Sequence, residues 1–348
     1  MKKIIVFKSD RVGDLIYFSP CLKTIKDNNK ESLITLVCSK YNYQIAKNYK
    51  FIDKYIILDN SIFLFTLIKY FKDFFLTKYN YLFQFDGKSK SYLISFFTLA
   101  SIKSTICFVK NKKFFNFPYR VFRPRKIFLN IFFNNFLFCD EKYSDQKKIH
   151  YQTLYFNILE KLNFHIYNKK NLFFLDKGFE NIYYSFFNKS INSDYFLFHF
   201  DEKWNRCTDS DFINSMLLLK KISTSGHVVI TTGIKNFKFL KDLKNNFTTY
   251  SYNKNKFNLL EKKENVSVCV IESLPLNLLA YFIKNSKKNL SYHSGPIVHI
   301  SPSFNREIID LIPEKKNNEI DRWIPIVSNY RRINFEQLNK DFINNFKI

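Results

Sequence analysis

The first eighteen residues constrain the fold more than any other stretch of the chain. An apolar run, Ile4-Ile5-Val6-Phe7, meets a polar step, Lys8-Ser9-Asp10-Arg11, and then Val12-Gly13-Asp14-Leu15. This order reads as a strand, a tight glycine turn, and a helix that starts just behind a carboxylate. It places one fixed anion at the carboxyl end of a strand, where open α/β sheets bind their ligands. Asp14 then has two readings: a helix cap, a common task for aspartate, or a carboxylate with chemistry to do.

The rest of the chain repeats the pattern. In the first half, candidate strands at 3–8, 33–38, 54–58, 80–85 and 104–108 alternate with helical patterns near 20–29, 42–49, 61–76 and 89–100. Such alternation predicts a parallel, doubly wound sheet. A helix at 150–163 follows, then a polar stretch at 164–194 that reads as a connection between domains. A second set has strands at 195–200, 226–231, 266–271, 289–292 and 308–312, helices at 209–222, 236–245, 275–286 and 297–303, and a terminal helix at 335–346. A chain of 348 residues usually makes two domains and buries ample core.

Glycine sharpens the turns. There are only six, Gly13, Gly87, Gly178, Gly226, Gly233 and Gly295, in a chain inflated in Lys, Asn, Ile, Phe and Tyr as AT-rich codon drift would leave it. Glycines surviving such drift are expected where a Cβ is excluded, at positive φ or against a ligand. Gly13, Gly87, Gly233 and Gly295 each lie close behind an apolar run, which suggests a ligand cleft at the strand ends.

The net charge of +25 fits an anionic partner: nucleic acid, an anionic membrane surface or a phosphorylated substrate. Drift alone is the competing source of the lysines. Six scattered cysteines without a C-x-x-C pair read as buried thiols of a reducing compartment. The apolar stretch behind Met1-Lys2-Lys3 ends at Lys8, too short for a signal peptide. No window offers about twenty uncharged apolar residues to span a membrane. Ser61 to Leu76 and Ile127 to Cys139 come nearest, and each reads as a buried or an interfacial helix.

Several constellations could carry chemistry. Asp86-Gly87-Lys88-Ser89 follows a strand and could hold an anion, or Asp86 could simply cap a helix. Lys203, in His199-Phe200-Asp201-Glu202-Lys203-Trp204, could reach a phosphate as a mobile point charge, or lie on the surface. Thr231-Thr232-Gly233 ends a strand with two hydroxyls and a bare backbone. Tyr292-His293-Ser294-Gly295-Pro296 through His299 offers a serine-glycine turn, a helix start with proline well placed, and two histidines. Between residues 110 and 126, seven lysines and arginines interleave with aromatics, as a surface for acidic sugars or lipid phosphates or as a plain basic loop. G-x-G-x-x-G, a Walker A lysine and a spaced metal-binding His/Cys set are all missing, and Asp209-Ser210-Asp211 reads as a cap before an apolar helix.

Taken together, these stretches resemble glycosyltransferase family 9, the ADP-heptose:lipopolysaccharide heptosyltransferases. Val12-Gly13-Asp14-Leu15 through Ser19-Pro20-Cys21-Leu22-Lys23 is similar to that family's glycine-aspartate loop and the helix behind it. Phe85-Asp86-Gly87-Lys88 resembles its strand-end aspartate segment, and Lys203-Trp204 the element that opens its second half. Ser273-Leu274-Pro275-Leu276 and His293-Ser294-Gly295-Pro296-Ile297-Val298-His299 resemble its C-terminal signature. The likeness runs in order over nearly the whole chain, with three departures, one being an extra residue between Gly295-Pro296 and His299. His293 stands where the family has its sugar-binding aspartate, and Ile234-Lys235-Asn236 lacks the acidic residue expected on the ribose.

The resemblance implies a GT-B fold: two Rossmann-like, doubly wound α/β domains facing a central cleft. Residues 1–175 would bind the acceptor, 176–330 the nucleotide sugar, and 331–348 would form a terminal helix packing back on the N-terminal domain. It implies an inverting, metal-independent transfer of a heptose-like sugar to a lipopolysaccharide-core or related surface-glycan acceptor. Asp14 would be the catalytic base. Gly13, Asp86, Lys88, Arg120, Arg123 and Arg125 would meet the acceptor. Lys203, Thr231, Thr232, Gly233, Leu274, His293, Ser294, Gly295, Pro296 and His299 would hold the donor. No cofactor is implied beyond the ADP-heptose-like co-substrate. The expected partners are a nucleotide sugar, an anionic glycolipid and the inner-membrane surface, with no nucleic acid, for a cytoplasmic, peripheral monomer. The alternatives are another nucleotide sugar on the same fold, or a non-catalytic basic relative that binds membrane or nucleic acid.

Overall fold

The computed structural model describes residues 1–58, 63–109, 115–116, 121–122, 126–140, 150–191, 193–233, 237–263 and 267–346. The chain divides into two compact units, Met1–Phe174 with Asn318–Ile324, and Leu175–Asn317 with Pro325–Ile348.

In unit 1 the order is β1 (Lys3–Phe7), α1 (Val12–Asn28), β2 (Leu33–Cys38), α2 (Lys40–Ala46), β3 (Lys54–Ile57), α3 (Phe63–Lys69), a π-helical turn (Lys72–Leu76), β4 (Tyr79–Gln84), α4 (Ser89–Phe97) and β5 (Ala100–Val109). A two-residue pair, β6 (Phe115–Asn116) and β7 (Val121–Phe122), precedes α5 (Lys126–Phe132), β8 (Asn135–Asp140) and α6 (Tyr151–Lys161). The main sheet is parallel throughout in the order β3-β2-β1-β4-β5-β8. Central strands of such sheets are covered on both faces, so they read as unbroken apolar runs. Ile4, Ile5, Val6 and Phe7 of β1 are all fully buried.

Pro20 sits inside α1, where it cannot donate to the carbonyl of Ile16. The Ser19 hydroxyl donates to that carbonyl instead, at 2.6 Å, and accepts from the amide of Leu172 at 2.7 Å. The orphaned acceptor is thereby satisfied within the core.

Unit 2 runs α7 (Glu180–Ser190), β9 (Tyr195–Phe200), α8 (Asp209–Ser223), β10 (His227–Thr232), α9 (Leu240–Asn246), β11 (Thr248–Asn253), β12 (Lys256–Glu261), β13 (Val268–Glu272), α10 (Leu276–Asn285), β14 (Lys288–Ser291), α11 (Gly295–Ile300) and β15 (Glu307–Ile312). The chain then passes through α12 (Asn317–Ile320), which belongs to unit 1 from Asn318 onward, and returns to unit 2 for β16 (Tyr330–Asn334) and α13 (Lys340–Asn344). Its sheet order is β12-β11-β13-β10-β9-β14-β15-β16, parallel except for the antiparallel β11-β12 hairpin.

The structure corrects the sequence reading at several elements. The apolar run from Ile127 to Cys139 is not one helix but α5 followed by β8. The stretch 164–194 holds α7, whose Tyr183 and Phe186 are buried, so it is more than a connection. The terminal segment was expected to pack back on the N-terminal domain. Instead Pro325–Ile348 lies with unit 2, where β16 extends the sheet beside β15 and α13 packs on α8. A strand pairing through its whole length holds the terminus more firmly than one short helix face can.

Candidate functional site

Each unit gathers polar side chains at the carboxyl ends of its central strands. In unit 1 the loop Lys8–Arg11 leaves β1. The Lys8 ammonium is buried and bound by the Asp10 carboxylate at 2.7 Å, the Phe85 carbonyl at 3.1 Å and the Tyr155 hydroxyl at 3.1 Å. The rings of Tyr155 and Phe18 lie 5.0 and 5.5 Å from it. Burial works against the Lys8 charge, but Asp10, Tyr155 and Asp14 outweigh it and hold the ammonium above its ordinary pKa. Asp10 is opposed the other way. Burial pushes its carboxyl up to about 7 against the pull of Lys8, and the Asp14 and Asp86 carboxylates add to the rise. Its buried Oδ1 has no hydrogen-bond partner among the described residues.

Asp14 is half-buried in the first turn of α1, and its Oδ2 accepts from the Arg11 amide at 3.3 Å. It therefore caps the helix with one oxygen, and among the described residues the other is left uncommitted. Gly13 lies within α1 rather than in a left-handed turn. Asp86 is the knot of the site. One oxygen accepts from the Ser9 hydroxyl at 2.5 Å, the Ser91 hydroxyl at 2.7 Å and the Ser9 amide at 3.1 Å. The other accepts from the Lys88 amide and the Gln84 side chain, both at 3.0 Å. Gly87, at φ 65°, makes the left-handed step that lets the chain wrap this carboxylate. The Lys88 ammonium returns to the Ser9 carbonyl. Asp86 and Lys88 thus tie the two loops together, and any contact with a ligand would come on top of that work. Arg120, Arg123 and Arg125 lie outside the described residues.

In unit 2, Lys203 is half-buried in the turn after β9, and its ammonium donates to the His293 carbonyl. It is not a surface lysine. His293 takes φ 42°, so the left-handed residue of this loop is the histidine and not Gly295, which begins α11. A fully buried carboxylate holds it there. Asp310 on β15 accepts from the His293 amide and from the His293 Nδ1, each at 2.6 Å, and from the Tyr330 hydroxyl at 2.7 Å. Donation from Nδ1 fixes the imidazole's orientation and leaves Nε2 as the atom available for a ligand.

The neighbouring threonines are engaged within the protein. Thr231 pairs with His199 Nδ1 at 2.9 Å, and the Thr232 hydroxyl accepts from the Ser273 amide at 3.1 Å. Burial lowers the His199 pKa despite the nearby Asp201 and Glu202 carboxylates. The Gly233 amide donates to the Phe200 carbonyl at 2.9 Å, while Leu274 and His299 are buried and Pro296 is half-buried in α11. Ser294 is buried, with its hydroxyl unpartnered. Among the described residues, no group of three or more His, Cys, Asp or Glu side chains is placed to hold a metal ion.

Four residues of these clusters escaped the sequence reading as site residues: Lys8, Asp10, Asp310 and Tyr330. Two left a signal. Lys8 is a charge directly abutting a buried strand, and Asp310 is a carboxylate set within the apolar run Ile308-Ile309-Asp310-Leu311-Ile312.

Two doubly wound, Rossmann-like units in one chain define a GT-B type α/β fold. No family model and no curated protein matches the sequence. Solved structures match its fold. The family 9 glycosyl transferase of Veillonella parvula matches with a TM-score of 0.68 at 14% identity, over 96% of this chain and 87% of that one. The E. coli ADP-heptose lps heptosyltransferase II gives 0.65 at 13%, over 98% and 94%. E. coli heptosyltransferase WaaC with ADP gives 0.62 at 11%, over 98% and 97%. The fold extends beyond transferases: a putative UDP-N-acetylglucosamine 2-epimerase from Listeria monocytogenes gives 0.52 at 10%, over 99% and 89%.

Proposed function

We propose that the chain is a glycosyltransferase that moves a heptose-like sugar from a nucleoside-diphosphate donor to a lipopolysaccharide-core or related surface-glycan acceptor, with inversion and without a metal. The observation that carries this reading is the pair of polar clusters at the strand ends, in a fold shared over nearly the full length with heptosyltransferases.

In this reading the uncommitted oxygen of Asp14 takes the proton of the acceptor hydroxyl as that oxygen attacks the anomeric carbon. The bond from anomeric carbon to phosphate oxygen breaks, and its electron pair leaves with the nucleoside diphosphate. Lys203 balances the developing charge, and His293 Nε2 accepts a hydrogen bond from a hydroxyl of the sugar. Thr231, Thr232, Gly233, Leu274, Ser294, Gly295, Pro296 and His299 form the donor side. Gly13, Asp86, Lys88, Arg120, Arg123 and Arg125 form the acceptor side. The co-substrate is ADP-heptose-like and no other cofactor takes part. The enzyme works as a monomer, peripheral at the cytoplasmic face of the inner membrane.

A second donor is favoured by one observation: the imidazole of His293, anchored on Asp310, presents a different face to the sugar than a carboxylate would. Another nucleotide sugar on the same fold is therefore the rival reading.

Thermal-shift and calorimetric titration with ADP, UDP, GDP and their sugars tests both. ADP-heptose should stabilise the wild type, and Asp14→Asn should keep that binding while transfer falls by about a hundredfold or more. Lys203→Ala should weaken binding itself. Protection by a UDP- or GDP-sugar but not by ADP-heptose would move the assignment to the rival. Protection by none of these ligands would overturn both.

A further inference from the structure

The helices α3, α4 and α5 share one buried underside. Phe74, Tyr92, Leu129 and Phe133 belong to a single core cluster, with Phe63, Leu67, Tyr70, Phe96 and Phe132 packed against it. Their opposite side is not polar, as an outer helix face usually is. Leu64, Phe65, Ile68 and Phe71 fall within one side of the α3 turn and its extension, and Leu93 and Phe97 are one turn apart on α4. All six are exposed, Leu64 to 70%, Ile68 to 66% and Phe97 to 60%. The two helices lie side by side: the Lys90 ammonium of α4 sits 4.6 Å from the ring of Phe63 at the start of α3. On the far flank, Phe96 stacks on Phe132 of α5 at 4.4 Å, next to exposed Ile131.

Large apolar side chains gathered this way mark a docking surface rather than ordinary exposure. The charge around them selects the occupant. Lys69, Lys72 and Lys78 are exposed between α3 and β4. The only acids between residues 63 and 100 are Asp73, paired with Lys54, and Asp86, enclosed by its loops. A second copy of a chain carrying +25 would bring like charge against like. An anionic bilayer offers apolar depth below a negative surface, the complement of this face. No described helix is long and apolar enough to cross a membrane, so the contact would be interfacial.

We propose that the outer face of α3 and α4 docks on anionic lipid, with Leu64, Phe65, Ile68, Phe71, Leu93 and Phe97 entering the acyl boundary and Lys69 and Lys72 meeting the headgroups. This rests on the peripheral placement proposed above and supplies its surface, but it needs no sugar transfer to be true.

The test is sedimentation of the full chain with phosphatidylcholine vesicles, with and without phosphatidylglycerol, at low and high salt. Binding should appear with phosphatidylglycerol and weaken with salt. The double variant Ile68→Glu/Phe71→Glu should bind about tenfold or more weakly at an unchanged melting temperature. Lys69→Glu/Lys72→Glu should weaken binding and flatten its salt dependence. Wild-type affinity in Ile68→Glu/Phe71→Glu, or no wild-type binding to the anionic vesicles, would overturn the proposal. So would a wild-type dimer in solution that this variant converts to monomer. Nucleotide titration of the same samples keeps the two readings apart: vesicle binding without nucleotide binding retires the transferase alone, and the converse retires the docking face alone.

Discussion

His199 shows how a single buried side chain couples this fold to pH. Its ring is enclosed at the end of β9 and bonded to Thr231, and burial holds its pKa below the ordinary value. A base with a lowered folded pKa contributes stability that is complete above the unfolded pKa, about 6.5, and is lost as the pH falls below it, because the unfolded chain then binds the proton more readily. Acidification from pH 7.5 to 5.5 should therefore lower the unfolding free energy of the wild type through this group. His150, also lowered by burial, should add to the loss. In His199→Asn the pH dependence should be shallower by the share of His199, measured as urea midpoints at the two pH values. An equal slope in both proteins would remove His199 from this account.

Legibility also differs from residue to residue. Gly13-Asp14 and Lys203 stood out in sequence because glycine is scarce and strand ends are easy to find. Asp310 did not, because its meaning lies in a partner seventeen residues earlier that only the pairing of β14 with β15 brings near. The loop glycines misled in one respect. Gly87 does take positive φ, whereas Gly13 and Gly295 sit at helix starts and the left-handed step near Gly295 is carried by His293. A carboxylate that holds both the amide and the ring of a residue can stabilise a conformation that glycine would adopt freely.

Among the elements, those with strong punctuation were read from sequence and those without it were not. β1 to β4 are short apolar runs bounded by polar residues, and each falls within a residue or so of its expected place. α5 and β8 form one apolar run divided only by Phe133-Asn134, too slight a break to separate a helix from a strand by periodicity. The β11-β12 hairpin was missed for the opposite reason. β12 is almost wholly exposed and shows no alternation, and its register is set by the antiparallel partner.

Within α1, the bond from Ser19 to the Ile16 carbonyl substitutes for the one Pro20 cannot make, and the same hydroxyl anchors Leu172. Ser19→Ala leaves a buried carbonyl and a half-buried amide without these partners. It should lower the unfolding free energy by about 2 kcal/mol in urea titration. A loss within error of zero would mean that both groups find other partners.

For the whole molecule, the α/β alternation predicted two doubly wound halves, and the chain forms two main sheets that are parallel but for the β11-β12 hairpin. The path of the last residues was beyond that reading, because nothing in their composition says which unit they join. Asn318–Ile324 belongs to unit 1, where the Arg322 carbonyl accepts from the Tyr17 hydroxyl and the Tyr151 amide, each at 3.1 Å. Trp323 packs on Tyr151 with ring centroids 4.2 Å apart. A fragment of residues 1–174 would therefore fold with an unfilled seat beside Tyr17, His150 and Tyr151. Its melting temperature should rise on addition of a peptide of residues 316–326, and a peptide with Trp323→Ala should raise it less. A fragment indifferent to both peptides would show that the seat closes by itself.

That seat bears on how such a chain can be recombined. A seven-residue piece of the first unit is encoded more than 140 residues downstream of the rest of it, within the reading frame of the second. A single crossover near residue 174 would give a chimera whose first half meets a foreign plug. Exchanging the second half between relatives would thus require the plug to travel with the half it completes.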